Sequence, residues 1–145
     1  MIGTLARLRR LGVRSSALLL EAFACLALAR VAVKLLPFRV IARSLGGRME
    51  ETPTAVPVTP RSRGVGWALA AASARTPWRS RCLEQALAAK AMLRRRGIES
   101  TMYLGVTRAP FEAHAWVRVG DVHVTGGSDV DRYAVVASFA DAARR

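Results

Sequence analysis

Apolar positions follow a helical period in the first half of the chain. Residues 16–36 are mostly apolar and predict a long helix. Pro37 ends it, because proline cannot continue a helix interior, and a second helix is expected over 38–45. An Ala-rich stretch at 65–75 predicts another helix. The N-terminal half is therefore expected to be helical.

A fourth helix is predicted to begin near Cys82. Ser80 suits the N-cap, because its hydroxyl can accept from a free first-turn N–H. Three consecutive arginines, 94–96, suit the C-terminus, and Gly97 suits the position after it. The apolar face has helical spacing and comprises Leu83, Ala86, Leu87, Ala89, Met92 and Leu93.

Alternating positions predict strands in the remainder. Residues 101–106, 113–119 and 122–125 are expected strands, with Gly120-Asp121 as a two-residue hairpin turn between the last two. A further strand is predicted at 132–136 and a short helix at 138–145. We therefore predict an α+β fold, in which N-terminal helices and a small antiparallel sheet pack on the cysteine-bearing helix.

Composition divides the chain into three regions. Residues 48–63 hold Pro53, Pro57 and Pro60 among threonines, serines and charges, which is typical of an extended linker. We expect an N-terminal helical docking region at 1–47, this linker, and a catalytic domain at 64–145. The length of 145 residues supports a proper core.

The net charge of +13 bears on partners. All basic residues except Lys34 and Lys90 are arginines, which pair with carboxylates and phosphates. No helix-turn-helix, zinc-finger or RNA-binding signature is present, so we expect no nucleic-acid function. An arginine-rich nucleic-acid binder is the alternative, and a coding bias towards arginine would also account for the charge.

The apolar stretch 16–36 is expected to lie inside a cytoplasmic protein. Glu21, Arg30 and Lys34 interrupt it, and its longest charge-free run is 22–29. A spanning helix needs about 20 predominantly apolar residues. No small-residue cleavage site follows a clean apolar core. We therefore predict a largely buried helix and no transmembrane span, with a helix on the membrane surface as the alternative.

Cys82 and His114 are the candidate nucleophile and general base. Cys82 is expected in the first turn of its helix, where the helix dipole, Arg79 and Arg81 favour the thiolate. His114 lies in a predicted strand, on the face shared with Trp116 and Arg118. The alternative is a buried cysteine and a strand histidine without a joint role. No Cys/His cluster has metal-ligand spacing, and no cofactor is expected.

The order of these motifs resembles the B2 proteins of lasso peptide biosynthesis, which are transglutaminase-like leader peptidases. The resemblance implies a papain-like Cys-His-Asp triad, with Cys82 and His114 as two members. It implies a precursor peptide as substrate, a separate leader-binding B1 protein, and a cyclase that closes the ring afterwards. The matching motifs are Cys82-Leu83-x-Gln85-Ala86, Arg95-Arg96-Gly97-Ile98, Gly105-Val106 and Ala113-His114-Ala115-Trp116-Val117.

The third triad member departs from the family pattern. The family carries an aspartate about a dozen residues after the histidine, where this chain has Thr125-Gly126-Gly127. In a two-residue hairpin Val119 pairs with Val122, Val117 with Val124 and His114 with Gly127. A Gly-Gly turn can return Asp129 to the imidazole, so it is preferred over Asp131 and Asp121. A backbone carbonyl or a side-chain amide is the alternative orienting group.

Two further functions remain open at this point. An acyl-transferring transglutaminase or amidase would use the same cysteine and histidine with an amine acceptor. A non-catalytic interaction module would retain the pair without using it. The mass of the product separates transfer from hydrolysis.

Overall fold

The computed structural model describes residues 2–76, 82–108, 110–128 and 130–141. The helices are α1 (Ile2–Leu35, kinked at Gly12), α2 (Phe38–Arg43), α3 (Pro60–Ser73) and α4 (Cys82–Arg95). The strands are β1 (Gly47–Arg48), β2 (Thr101–Arg108), β3 (Phe111–Val119), β4 (Val122–Thr125) and β5 (Ala134–Ala140). A short 3-10 helix, Val130–Arg132, precedes β5.

Local signals explain where two of the helices begin and end. Thr59 and Ser62 form a capping box at the start of α3, with Pro60 in the first turn. Gly97 follows α4 with a φ of 68°, and Ile98 N–H donates to the Leu93 carbonyl across it. This arrangement satisfies carbonyls that the helix end leaves without partners, so the predicted role of Gly97 is confirmed.

The five strands form one antiparallel sheet in the order β1-β5-β2-β3-β4. Helix α4 packs against β3 and β4, and α1 packs across α3 and α4. Helices and sheet thus form separate layers around a single core, and the predicted α+β fold is confirmed. The largest apolar members of the core include Leu26, Val65, Leu69, Met92, Leu93, Met102, Val117 and Phe139.

Ion pairs fasten the C-terminal half of α4 to the rest of the domain. The fully buried Lys90 Nζ lies 2.9 Å from Asp141 Oδ2 and donates to the Ser100 carbonyl. Arg94 contacts the other Asp141 oxygen at 2.8 Å. Burial lowers the pKa of Lys90, although Asp141 opposes this change. On the side of α1, Glu21 pairs with Arg95 and Arg96.

The segment between α2 and α3 is extended but firmly attached. Thr52 is buried, and its hydroxyl and Thr101 Oγ1 are 2.6 Å apart. Arg118 Nη2 donates to the Thr52 carbonyl at 2.7 Å. Because α1 supplies core residues shared with α3 and α4, the 1–47 region packs together with the region that follows the segment.

Two predicted features are wrong. The helix expected at 138–145 is strand as far as Ala140, because residues 138–140 pair with β2; positions 142–145 lie outside the described residues. The long apolar helix is not largely buried: Leu20 is 68% exposed and Leu35 75%. Helix α1 is apolar on more than one side, and the domain covers only one of them. Its Arg14–Leu35 stretch is long and apolar enough to cross a membrane.

Candidate active site

Cys82 is the first residue of α4. Its side chain is half-buried and packs at the edge of the hydrophobic core. The first N–H groups of a helix have no partner within it, so the backbone here offers donors beside the thiol. Ser80, Arg79 and Arg81 lie outside the described residues, and their roles as cap and basic flank remain predictions.

His114 lies on the face of β3 that the alternation predicts. Ala115, Val117 and Val119 enter the core against the helices. The opposite face carries a column of rings: His114 lies 5.6 Å from Trp116, which lies 5.5 Å from Tyr103, between ring centroids. Because Trp116 and Tyr103 are buried, the column fixes the plane in which the imidazole can lie.

A backbone carbonyl holds the far nitrogen of this imidazole. His114 Nε2 is 2.7 Å from the Gly126 oxygen. A carbonyl oxygen can only accept, so Nε2 carries the hydrogen and the neutral ring leaves Nδ1 as an acceptor. This is the tautomer that a general base needs, and its orienting group is the backbone alternative that the sequence left open.

The β3–β4 register shifts by one residue just before Gly126. Val119 pairs with Val122 as predicted, but Val117 pairs with Thr125 and not with Val124, across a bulge. The predicted pairing of His114 with Gly127 is therefore wrong. Gly126 has a φ of 66°, and a Cβ there would lie 2.7 Å from the Ala115 oxygen. Both features favour glycine.

The three aspartates considered as the third triad member lie in different places relative to the described structure. Asp129, the preferred third member, lies outside the described residues. Asp131 is exposed in the 3-10 helix, and Asp121 is exposed in the turn at the other end of β3. Within residues 82–108, 110–128 and 130–141, no carboxylate is hydrogen-bonded to His114. The described part of the site is thus a cysteine, a histidine and a main-chain carbonyl.

Tyr133 lies beside His114 and was missed in the sequence. Its ring centroid lies 5.0 Å from that of His114, and its hydroxyl donates to Glu112 Oε2 at 3.3 Å. Partial desolvation, the Glu112 carboxylate and, to a smaller extent, the Cys82 thiolate raise the pKa of Tyr133. The phenol therefore lies beside the His114 ring, and the charge of Cys82 acts on it only weakly. No local signal marks Tyr133, because pairing of β5 with β2 brings it there.

The second cysteine has different surroundings. Cys25 is half-buried on α1, where burial raises the pKa of its thiol. A raised pKa disfavours the nucleophilic thiolate. Among the residues that the structure describes, no three His, Cys, Asp or Glu side chains are grouped to hold a metal ion.

Comparison with known proteins identifies the family of this arrangement. A family model described as the transglutaminase-like superfamily matches residues 24–138, which include Cys82, His114, Gly126 and Tyr133. Neither the curated proteins nor the solved structures gave a match. Members of this superfamily are generally cysteine-protease-like enzymes, and the site is compatible with peptidase or acyltransferase chemistry. The match covers well over half of the sequence, so the chain belongs to the transglutaminase-like superfamily.

Proposed function

We propose that this protein is a cytoplasmic cysteine peptidase that removes the leader from a lasso peptide precursor. One observation carries the proposal: the Gly126 carbonyl takes Nε2 of His114 and leaves Nδ1 as an acceptor, in a chain whose Cys82 begins α4. A thiol at a helix start and an imidazole in this tautomer are the groups that acyl transfer to sulfur requires.

The reaction follows from these groups. Nδ1 of His114 takes the Cys82 proton, and the thiolate attacks the carbonyl carbon of the scissile peptide bond. The tetrahedral oxyanion is stabilised by N–H donors, of which the Cys82 amide at the helix start is one. The C–N bond breaks as the imidazolium protonates the departing amine, leaving a thioester. Water, deprotonated by His114, attacks the thioester and releases the new carboxylate and the thiol.

The motif series supports the lasso peptide assignment. Its four segments lie at the start of α4, at the end of α4, at the centre of β2 and in β3 around His114. Three of them therefore contain or adjoin a candidate residue, since Gly105 pairs with His114, and the fourth lies at the far end of α4. In this proposal Asp129 is the carboxylate that supports the imidazolium, and the Gly126 carbonyl sets its tautomer. A lasso cyclase would then consume the freed core peptide.

We further propose that the leader-binding B1 protein docks on the N-terminal helices. An apolar cavity of about 400 Å³ lies between α1, α2 and α4. Its lining is mostly apolar, and Arg94 at its edge is already paired with Asp141, so an apolar segment of the partner fits its chemistry. Its apolar lining includes Cys25, Ala29, Ala32, Val40, Ile41 and Leu87.

The function is tested by mass spectrometry of the precursor peptide incubated with this protein, with and without the B1 protein. We expect leader and core fragments, and in H₂¹⁸O one heavy oxygen in the new carboxylate. An adduct with added amine, formed in preference to hydrolysis, would identify an acyltransferase. Intact precursor in the presence of B1 and folded enzyme would contradict both functions.

Docking is tested separately from chemistry. Deleting residues 1–46 would remove core side chains such as Leu26 and unfold the domain, so a point variant is preferable. Val40→Glu places a charge at the cavity and should weaken B1 binding. Val136→Glu, at an exposed valine of β5, is the matched control. Equal binding of B1 by both variants would place its contact elsewhere.

A further inference from the structure

Helix α1 presents an uninterrupted apolar stripe to solvent. From Ala17 to Leu35, every position classed as exposed is apolar except Lys34. Leu28 is 69% exposed and Val31 52%. The stripe consists of Ala17, Leu20, Ala24, Leu28, Val31 and Leu35, and their spacing of three or four residues places them on one side of the helix. A contiguous apolar surface of this kind marks an interaction site.

The opposite side of the same helix is buried in the core. Leu19, Ala22, Leu26 and Ala29 are buried where α1 packs against α3 and α4. Crossing a bilayer would pull these side chains away from their partners and expose the core of the domain. The helix can therefore meet an apolar medium only along the stripe, lying parallel to its surface.

The charges around the stripe indicate what kind of apolar surface it contacts. Glu21 is the only acidic residue among the first 49 positions, which carry eight arginines and one lysine. Glu21 is also paired with Arg95 and Arg96. Arg14 and Lys34, which lie near the two ends of the stripe, are exposed, as are Arg39 and Arg43 beyond α1. A second copy of a chain with net charge +13 would be repelled, whereas an anionic lipid surface would be attracted.

We propose that this protein is a peripheral membrane protein, with the α1 stripe inserted in the interface of an anionic bilayer. Arg14, Lys34, Arg39 and Arg43 then lie at the level of the lipid phosphates. The proposal is independent of the catalytic function, because none of these residues belongs to the Cys82 site.

Co-sedimentation with vesicles tests the insertion. The full chain is mixed with vesicles of phosphatidylcholine alone or with phosphatidylglycerol added. We expect at least about tenfold stronger binding to the anionic vesicles. The triple variant Leu20→Gln, Val31→Gln and Leu35→Gln keeps the net charge. Its binding to the anionic vesicles should be weaker by at least about tenfold. Val136→Gln, an exposed valine on β5, is the matched control and should bind like wild type.

The remaining outcomes separate other occupants of the stripe. Equal binding of the triple variant and wild type would show adsorption by charge alone and overturn the insertion. Vesicle-bound protein that resists carbonate extraction would indicate a spanning helix and overturn the parallel arrangement. Absence of vesicle binding overturns the proposal, and loss of B1 binding or of a dimer in the triple variant would then identify the occupant. Cys82→Ala should bind vesicles normally, so a failed peptidase assay leaves this result intact.

Discussion

The two ends of α4 are built in different ways. At the C-terminal end, Lys90 and Arg94 converge on Asp141, with contacts of 2.8 and 2.9 Å, while Glu21 holds Arg95 and Arg96. At the N-terminal end, Arg30 and Glu84 are 3.7 Å apart, and Cys82 is half-buried at the edge of the core. About 20 Å of helix separates the two ends at 1.5 Å per residue.

This difference separates the ion pairs that stabilise the fold, at the C-terminal end of α4, from the candidate reacting groups at its N-terminal end. Charges that fasten the C-terminal end are too far from the thiol to act on it strongly through water and salt. The N-terminal end uses rings and main-chain groups, which orient the reacting side chains without enclosing them in ion pairs. Substitutions at one end are therefore expected to leave the property of the other end unchanged.

The largest effect is expected at the catalytic end. Cys82→Ala removes the nucleophile and should lower leader cleavage by about 10⁴-fold or more, as loss of a nucleophile does in related chemistry. The midpoint of thermal unfolding should stay close to that of wild type. Cys25→Ala is the matched control and should retain activity. Near-normal turnover by Cys82→Ala would contradict the mechanism.

The next largest effect is expected on stability, at the C-terminal end of α4. Asp141→Asn leaves the Lys90 ammonium buried without its anionic partner and should reduce the free energy of unfolding by about 3–5 kcal/mol. Turnover of the folded fraction should remain normal. Glu112→Gln, which breaks an exposed pair of 3.9 Å with Arg132, should cost less than about 1 kcal/mol in urea unfolding. Equal costs would abolish the contrast between the ends.

Acid should weaken the same end. Burial acts to raise the pKa of Asp141, but hydrogen bonds from Arg94 and Lys90 outweigh it, and the pKa is lowered from its usual 3.8. The stabilisation is therefore present above about pH 4 and lost as the pH falls through the lowered pKa. As the pH falls from about 4 through the lowered pKa of Asp141, the free energy of unfolding should decrease more for wild type than for Asp141→Asn.

A smaller effect on turnover is expected at Gly126. Gly126→Ala strains a positive φ and displaces the carbonyl that holds His114, so turnover should fall roughly tenfold to a hundredfold. Gly97→Ala imposes a similar strain at a φ of 68° with no atom within 4 Å of the new Cβ. Because it shares the strained φ without the close contact to the Ala115 oxygen, it should lower stability less than Gly126→Ala and leave turnover unchanged. Comparable turnover in the two variants would mean that the carbonyl does not orient the base.

The smallest effect is expected at Asp129. The sequence pattern alone predicts a direct role and a loss of more than tenfold in Asp129→Asn. The Gly126 carbonyl already takes Nε2–H, so a carboxylate can support the imidazolium only through the electrostatic field, and we expect less than about tenfold. Steady-state turnover of Asp129→Asn beside Asp131→Asn measures this. A larger loss confined to Asp129→Asn would restore it as the orienting group.

Local signals account for what could be predicted. The cap residue Gly97, the alternation around His114 and the hairpin turn at Gly120 are each set by a few neighbouring residues, and the structure agrees with them. The candidate nucleophile and base were selected in the same way, because each lies in a recognisable motif on one element. Their joint role remains a proposal.

Other features depend on long-range pairing and escaped prediction. The bulge in the β3–β4 pairing, between Val117 and Arg118, changes the register just before Gly126, and no residue type nearby specifies it. Tyr133 joins the site only because β5 pairs with β2. The exposed side of α1 could not be seen either, since periodicity identifies apolar positions but not how many sides of a helix the domain can cover.

The position of β5 in the sheet has a consequence for synthesis. β5 lies between β1 and β2, which precede it in the chain by more than 25 residues. Pairing of strands that are far apart in the chain loses loop-closure entropy before the contacts between them form, and it therefore slows folding. β2, the neighbour of the His114 strand, therefore lacks its second partner until residue 140 has left the ribosome. The sheet should be incomplete in the nascent chain before that point, and activity should appear only after synthesis has passed it.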